Sequence, residues 1–280
     1  MTSRTEEETQ LEFSDTNRKK VEDKKIDGNL TDAELSNLLF VRLVAKEKEF
    51  TKIDFKYCIF DTCYLRQCLF DRCDFTGCRF VGTSFYGSRF SGCQFDYSIF
   101  ERTIVATDLL RDCCPAPENL KMKFARTLRV NYQQLGDAQA ANIAIHVELE
   151  ATSEHLWKAW RSNDWYYRHK YPKGKRIKAF LNWLGFKFLD WIWGNGESAW
   201  KLFRAVIILL VLIALRDVFA HRDPWQVGSY LAAAMQAPQI FLGTLSPSYY
   251  APGYFSVIVF CRLVAFAFLM SIIIKRLNRR

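Results

Sequence analysis

A repeat of five residues between positions 50 and 110 constrains this chain more than any other feature of its sequence. Ten of the eleven residues spaced by five from Phe50 to Phe100 are phenylalanine, Leu65 is the exception, and Val105 and Leu110 continue the series. A second phase, two residues earlier, holds small side chains: Cys58, Cys63, Cys68, Cys73, Cys78, Thr83, Ser88, Cys93, Ser98 and Thr103. Neither a helix nor an alternating strand has this period. It predicts a four-sided coil with five residues per side, whose turns stack at the β spacing of roughly 4.8 Å.

Both phases are predicted to point inward and fill the axis of the coil. The expected core residues are Phe60, Phe70, Phe75, Phe80, Phe90, Cys58, Cys68 and Cys78. Disulfide scaffolds and zinc sites use paired cysteine spacings rather than a strict repeat, so buried thiols acting as small apolar fillers are favoured. A disulfide between stacked residues such as Cys73 and Cys93, or a ladder of metal ligands, is the alternative. We expect neither a metal nor a cofactor.

This pattern resembles the pentapeptide-repeat family over residues 48–112, about three coils. The resemblance implies a right-handed quadrilateral β-helix. Some members of the family mimic DNA and bind topoisomerases through an acidic surface. Residues 48–112 contain nine Lys or Arg and nine Asp or Glu, so the rod is neutral and poorly suited to that role.

The segments on either side of the repeat are expected to be largely helical. Thr31 and Glu34 form a capping box before leucines at helical spacing, which predicts a capping helix over 31–47 after a disordered segment 1–30. A helical hairpin is predicted over 117–160, with Gly136 at its turn. It either caps the rod or mediates oligomerisation. Residues 161–199 are basic and aromatic, which is typical of a helix in a membrane interface. Nucleic acid could bind the same composition, but the adjoining apolar sequence favours the membrane.

A two-helix transmembrane domain is predicted over 200–280, with spans at 200–220 and 254–274. Between them, Ser229–Leu242 is apolar but too short to cross, and Gly243 follows it. A span, a short apolar segment, a glycine-containing turn and a second span are typical of a re-entrant pore-like module. Re-entrant backbone is tolerated only inside protein or beside water, so this interpretation requires an oligomer.

The order of these parts resembles bacterial pentapeptide-repeat proteins that end in a two-transmembrane ion-channel domain. The resemblance includes three segments: Asn131–Ala141, Trp193–Ser198 and Lys275–Arg280. It implies a tetrameric pore with cytoplasmic β-helices. Potassium channels of this type carry Thr-x-Gly-Tyr-Gly-Asp, whereas the aligned pore-like residues here are Phe241, Leu242, Gly243, Thr244, Leu245 and Ser246. A potassium filter is therefore not expected.

Arg262 is the only charged residue of the second span. A basic ring facing a pore would repel cations and favour anions. Alternatively, Arg262 pairs with Asp217 or with carbonyl groups at a helix end. Both residues are therefore candidates for a pore lining or for an ion pair.

The charges that flank the spans predict the orientation in the membrane. Only Arg222 is basic between the spans, whereas Lys and Arg are frequent outside them. The positive-inside rule then places both termini in the cytoplasm of a multi-pass inner-membrane protein. Met1–Asn29 has no apolar run typical of a signal peptide, and a cysteine-rich repeat suits a reducing compartment.

No enzyme is predicted, because His146, His155, His169 and His221 are scattered and the sequence contains no H-E-x-x-H, Walker loop, G-x-S-x-G or C-x2-C motif. The leading hypothesis is an oligomeric ion-channel-like pore without a potassium filter, regulated or assembled by its cytoplasmic repeat domain. Its expected partners are membrane lipids, further copies of the chain and a cytoplasmic protein, but not nucleic acid. Two alternatives are a non-conducting membrane-anchored scaffold that binds a protein through the β-helix, and a membrane-disrupting effector in stress or phage defence.

Overall fold

The computed structural model of the chain describes residues 18–277. The chain divides into two compact units, one ending at Thr152 and the other beginning at Ser153. The first unit contains a β-solenoid with twelve short strands: β1 Lys19–Glu22, β2 Lys25–Ile26, β3 Leu30–Thr31, β4 Leu38–Val41, β5 Val44–Lys46, β6 Glu49–Thr51, β7 Ile59–Asp61, β8 Tyr64–Arg66, β9 Leu69–Asp71, β10 Arg79–Val81, β11 Arg89–Ser91 and β12 Ile99–Glu101.

The solenoid makes about four turns, and successive turns pair side by side through parallel strands or bridges. Three sides are parallel sheets with the orders β1-β4-β7-β10-β12, β3-β6-β9-β11 and β2-β5-β8. The fourth side is a column of isolated parallel bridges that joins Glu34, Asp54, Asp74 and Gln94. Paired residues lie twenty positions apart, as in Phe60 with Phe80 and Phe80 with Phe100. The five-residue repeat and the β-solenoid that it predicts are therefore confirmed.

Stacked phenylalanine rings fill the interior. The ring centroids of Phe60 and Phe80 lie 5.1 Å apart, and those of Phe80 and Phe100 lie 4.8 Å apart. The other core residues expected from the sequence are also buried, except that Phe90 is only partly buried. The cysteine thiols also donate hydrogen bonds to backbone carbonyl groups of the preceding coil. The Sγ atom of Cys78, for example, donates to the carbonyl oxygen of Phe55 at 2.9 Å.

Left-handed backbone recurs at every corner of the coil. From Asn37 to Arg102, every fifth residue has a positive φ between 47° and 72°, and most of these residues are not glycine. That conformation costs a residue with a Cβ roughly 1–2 kcal/mol. Hydrogen bonds between coils offset the cost, because the corner N–H groups of Arg42 and Lys52 donate to the carbonyl oxygens of Asp61 and Asp71 at 2.9 and 2.8 Å.

The solenoid begins before residue 48, which corrects the predicted capping helix over 31–47. Strands β4 and β5 occupy that segment, and residues 18–30 of the segment predicted to be disordered contain β1, β2 and the start of β3. Residues 1–17 lie outside the described part. The error has a physical cause. Two positions of each five-residue repeat point inward, so inward residues are alternately two and three positions apart, which produces pairs such as Leu35 and Leu38. Such i, i+3 pairs also occur on one face of a helix.

A helix closes the C-terminal edge of the solenoid. After the short α1 Leu109–Asp112, α2 Glu118–Gln134 lies against the last coil. Side chains of α2 pair with the exposed backbone of that coil: Thr127 Oγ1 accepts from the N–H of Phe100 at 3.0 Å, and Gln134 Oε1 from that of Arg102 at 3.1 Å. Asn131 bonds both backbone groups of Thr103, at 2.7 and 2.8 Å. These contacts cover an edge that would otherwise be free to pair with another strand.

The rest of the chain is helical. α3 Ala138–Arg161 follows α2 and runs across the boundary between the two units. The second unit continues with α4 Trp165–Lys170, α5 Lys173–Trp193, a 3₁₀ turn Gly194–Gly196, α6 Ala199–His221, α7 Val227–Leu242 and α8 Pro252–Leu277.

One helix among residues 18–277, from Pro252 to Lys275, is long and apolar enough to cross a membrane. Only 11% of its most apolar window is buried. The other predicted span, 200–220, corresponds to α6. Lys201 and Arg204 near its start, with Arg216 and Asp217 near its end, put at least three charged residues in every eighteen-residue stretch of α6, whereas residues 254–274 of α8 contain one, Arg262. The first span therefore remains a prediction.

Replacing Phe80 by alanine should destabilise the solenoid, because its fully buried ring contacts rings in the coils on both sides. We expect a loss of about 3–5 kcal/mol in the free energy of unfolding, as for other buried phenylalanines. Tyr86→Ala is the control, since the Tyr86 ring is exposed. Denaturant unfolding followed by circular dichroism measures both, and equal midpoints for the two variants would contradict the inward position of Phe80.

Candidate functional site

The candidate site lies where α6, α7 and α8 pack together. Their shared core contains six buried side chains: Ile213, Ala237, Ile240, Phe241, Tyr250 and Ile258. α7 has sixteen residues and would span roughly 24 Å at 1.5 Å per residue, less than the hydrocarbon core of a bilayer. The segment predicted to be re-entrant is thus a short helix that packs against both longer helices.

The pore-like residues begin in the last turn of α7 and form its C-terminal cap. Gly243 adopts the left-handed conformation with φ of +80°. The N–H groups of Thr244 and Leu245 both donate to the carbonyl oxygen of Gln239, at 2.9 and 3.2 Å. The hydroxyl of Thr244 donates to the same oxygen at 3.1 Å. Phe241 is buried, whereas Leu242, Gly243 and Thr244 are exposed.

Arg262 of α8 reaches this cap. Its guanidinium lies against Gly243 so closely that a Cβ on Gly243 would collide with Nη1. The C-terminal end of a helix carries partial negative charge, which a guanidinium complements. The structure therefore brings Arg262 to a helix end, the second of the two pairings considered from the sequence.

Asp217 forms a different ion pair from the one considered with Arg262. Its side chain is 1% exposed, and Arg222 Nε donates to its Oδ2 at 2.6 Å. The hydroxyl of Tyr250 donates to Oδ1 at 3.1 Å. Arg222 also donates from Nη2 to Gln236 Oε1 at 2.6 Å, so this group of four residues joins α6, α7 and the loop before α8. A buried carboxylate requires such partners, since removing one leaves an uncompensated charge.

Burial, followed by the negative charge of Asp217, raises the pKa of Tyr250. Tyr250 therefore stays protonated at neutral pH and keeps donating to the carboxylate. Beside it, the Arg216 guanidinium lies 3.6 Å from the ring centroid of Tyr254, which is a cation–π contact. Sequence analysis identified Asp217 but missed Arg222 and Tyr250. The available signal was the single basic residue between the spans and a tyrosine pair, Tyr249 and Tyr250, beside an apolar helix.

A second polar contact ties the far end of α8 to the turn before α6. Lys275 Nζ lies 3.5 Å from both the carbonyl oxygen of Gly196 and Oε1 of Glu197. The rings of Trp193 and Phe268 stack with centroids 4.0 Å apart. Gly196 has φ of +91°, and a Cβ there would meet Lys275 Nζ. Two segments that the sequence resemblance singled out separately, at 193–198 and 275–280, are thus in contact through Lys275.

Metal-ligand clusters and cysteine thiols are the remaining candidates for chemistry. Among residues 18–277, no group of three or more His, Cys, Asp or Glu side chains is placed to hold a metal ion. The cysteines are free thiols. Burial raises the pKa of the Cys58 and Cys63 thiols to about 11, so these two remain protonated at neutral pH. The thiol form is a poor metal ligand and nucleophile.

Comparison with known proteins finds a family match for part of the first unit. Residues 55–113 match the family described as pentapeptide repeats (9 copies). A solved structure of QnrB1, a plasmid-mediated fluoroquinolone resistance protein, is 19% identical over 27% of this chain and 53% of its own, with a TM-score of 0.17. The chain thus spans about half the length of the solved structure that it matches. A search of curated proteins gives no match.

Replacing Gly243 by alanine should destabilise the α6–α8 core, because the left-handed backbone is strained with a Cβ and the methyl group would displace Arg262. We expect a melting temperature in detergent several degrees below that of the parent protein. Gly253→Ala is the matched control, since no atom lies within 4 Å of its Cβ position. Combining Gly243→Ala with Arg262→Ala should recover only the part of the loss that comes from the collision. Full additivity of the two single changes would contradict the contact.

Proposed function

We propose that the chain is a membrane protein whose α6, α7 and α8 assemble in several copies into a pore-like domain without a potassium filter. The observation that carries the proposal is a short apolar helix, α7, which packs between two long helices and ends at a glycine cap that Arg262 contacts. The pentapeptide-repeat unit is then the assembly or regulatory module.

Exposed apolar side chains on the long helices support insertion into a membrane. On α8, Val257, Phe260 and Leu263 are more than half exposed, and Phe203 and Leu212 on α6 are similar. An apolar surface of this extent is unfavourable in water and marks a membrane or protein interface. α6 can serve as the other span because charged residues near both of its ends have partners. Lys201 pairs with Asp190 at 2.9 Å near one end, and Asp217 pairs with Arg222 near the other.

The short helix supports an oligomer. α7 exposes Leu231, Met235 and Leu242, and it is followed by non-helical backbone from Gly243 to Tyr250. Backbone without regular hydrogen bonds is tolerated at membrane depth only against protein or water. One copy leaves this region exposed on one side, so neighbouring copies would have to cover it and could enclose a water-filled path.

The chemistry of the cap argues against potassium and favours anions. Residues 241–246 lack the Tyr-Gly-Asp part of the Thr-x-Gly-Tyr-Gly-Asp sequence, whose carbonyl groups replace the hydration shell of a potassium ion. The guanidinium of Arg262 places a positive charge beside Gly243, within the same cap. If the cap lines the path, a ring of such charges from several copies repels cations.

A non-conducting scaffold is the second candidate function, and the surface of the solenoid favours it. Tyr57, Tyr86 and Tyr97 are more than half exposed. Exposed tyrosines are enriched at protein interfaces, because one ring supplies both apolar area and a hydrogen bond. In this alternative the helices only anchor the rod.

Current recording on reconstituted protein separates the two candidates. A pore should give currents with anion preference, and Arg262→Glu should move the reversal potential toward cations because the sign of the ring changes. Arg262→Gln removes the charge but keeps hydrogen-bonding groups. Its reversal potential should lie between those of the parent protein and Arg262→Glu. Detergent mass measurement confirms that each variant keeps the same oligomer size. Absence of current from an intact oligomer of the parent protein would leave the scaffold.

The orientation of the spans gives a separate test. If both termini are cytoplasmic, a reporter active only in the periplasm should be inactive when fused after Arg280 and active when inserted beside Pro247. The positive-inside rule is the physical reason, since Lys and Arg cross the membrane with difficulty. Activity of the fusion after Arg280 would reverse the proposed topology.

A further inference from the structure

Helix α5 packs on its own unit along one side only. On that side Ala179 is buried, the rings of Trp183 and Trp157 lie 4.9 Å apart, and those of Phe180 and Trp160 lie 4.9 Å apart. Arg176 also faces the last turn of α3, where it donates to the carbonyl oxygen of Trp160 from Nε at 3.0 Å and from Nη2 at 2.8 Å. This side therefore already has its partners.

An adjoining side, about a quarter turn around the helix, carries a continuous apolar stripe. It comprises Ile177, Leu181, Leu184, Phe188 and Trp191, which recur at intervals of four and three residues and therefore share one face of the helix. Their side chains are 48–66% exposed. Five large apolar side chains in line, on a helix whose adjoining face is packed, mark a surface that is covered by something else.

Exposed lysines, the shoulder lysines, flank the stripe on both sides. At about 100° per residue, Lys178 falls on one side of it and Lys173 and Lys187 on the other, and all three are exposed. The single acidic residue of α5, Asp190, is paired with Lys201. The first turn of α5 contains no acidic residue, so the lysines there add to the positive end of the helix dipole rather than offset it.

The stripe also leads into the surface of the membrane helices. Phe188 and Trp191 line one end of an apolar groove of about 350 Å³, whose other walls include Leu209 of α6 and Phe260 of α8. Arg204 anchors this end, since it donates to the carbonyl oxygen of Trp191 at 2.6 Å. The apolar face of α5 is thus continuous with the apolar faces of α6 and α8.

From these features we infer that α5 lies in the interface of an anionic bilayer, an inference that rests on the proposed membrane function. The stripe enters the acyl boundary, and the three shoulder lysines bind phosphate groups of acidic lipids. Charge selects this occupant over a second copy of α5. A symmetric pairing through the stripe would bring lysines of both copies together, whereas lipid phosphates complement them.

Spin labels on the full-length protein in vesicles test the inference. Leu184→Cys reports from the stripe and Asn182→Cys from the polar side, in a background where the two incompletely buried cysteines, Cys114 and Cys261, are replaced by serine. The vesicles contain either phosphatidylcholine alone or about one third phosphatidylglycerol, which gives an anionic surface. We expect the Leu184→Cys label in anionic vesicles to be accessible to oxygen and protected from a water-soluble nickel complex. The Asn182→Cys label should remain accessible to nickel.

The role of charge is tested by replacing the three shoulder lysines with glutamine. This variant in anionic vesicles should lose the nickel protection at Leu184→Cys, and the parent protein in phosphatidylcholine vesicles should lose it as well. Equal protection in both lipids, or protection that survives the glutamine replacements, would overturn the assignment to acidic lipids. Broadening between labels that disappears on dilution with unlabelled protein would instead identify a second copy as the occupant.

A label at Leu263→Cys, on the exposed face of α8, separates this inference from the function on which it rests. If that label is protected from nickel while the Leu184→Cys label is accessible in both lipids, α5 is not interfacial but the membrane domain stands. If both labels are accessible to nickel, the membrane function itself fails.

Discussion

The stacking of each coil on the next, in a register of twenty residues, is the constraint on which the solenoid depends. It places the phenylalanine rings in columns, about 5 Å apart, and aligns the corner N–H groups with carbonyl groups of the neighbouring coil. The two effects reinforce each other. The hydrogen bonds offset the conformational cost of the left-handed corners, and they form only while the filled interior holds the coils in register. The same logic explains α2, whose Thr127, Asn131 and Gln134 replace a missing next coil.

The sequence predicts the solenoid well because its period is unlike that of any other regular structure. It predicts the start of the solenoid poorly, since the first coils use Leu30, Leu35 and Ala45 in place of phenylalanine, and mixed aliphatic residues fit a helix equally well. The helical hairpin after the repeat is visible through its glycine turn. Its capping contacts are not, because they join α2 to residues about thirty positions earlier.

In the second unit, the sequence shows where charges lie but not which charges meet. Asp217 pairs with Arg222, five residues away, and Arg262 goes instead to the end of α7. Which of these pairs form depends on how α7 folds back between the long helices. That position of α7 places Gln236 beside Arg222 and the Gly243 cap beside Arg262. No local periodicity encodes that fold. The exposed stripe of α5 is similar: its residues are evident in the sequence, but only packing distinguishes the free face from the occupied one.

The square cross-section of the solenoid makes its length a discrete variable. One side of the coil takes five residues, so inserting or deleting one repeat would move the C-terminal cap by a quarter turn around the axis and by about 1.2 Å along it. Four repeats restore the original orientation one coil further on, as the pairing of Phe60 with Phe80 illustrates. Related chains can therefore differ in solenoid length in steps of twenty residues without re-aiming α2 and α3, whereas a change of five residues points them in a new direction.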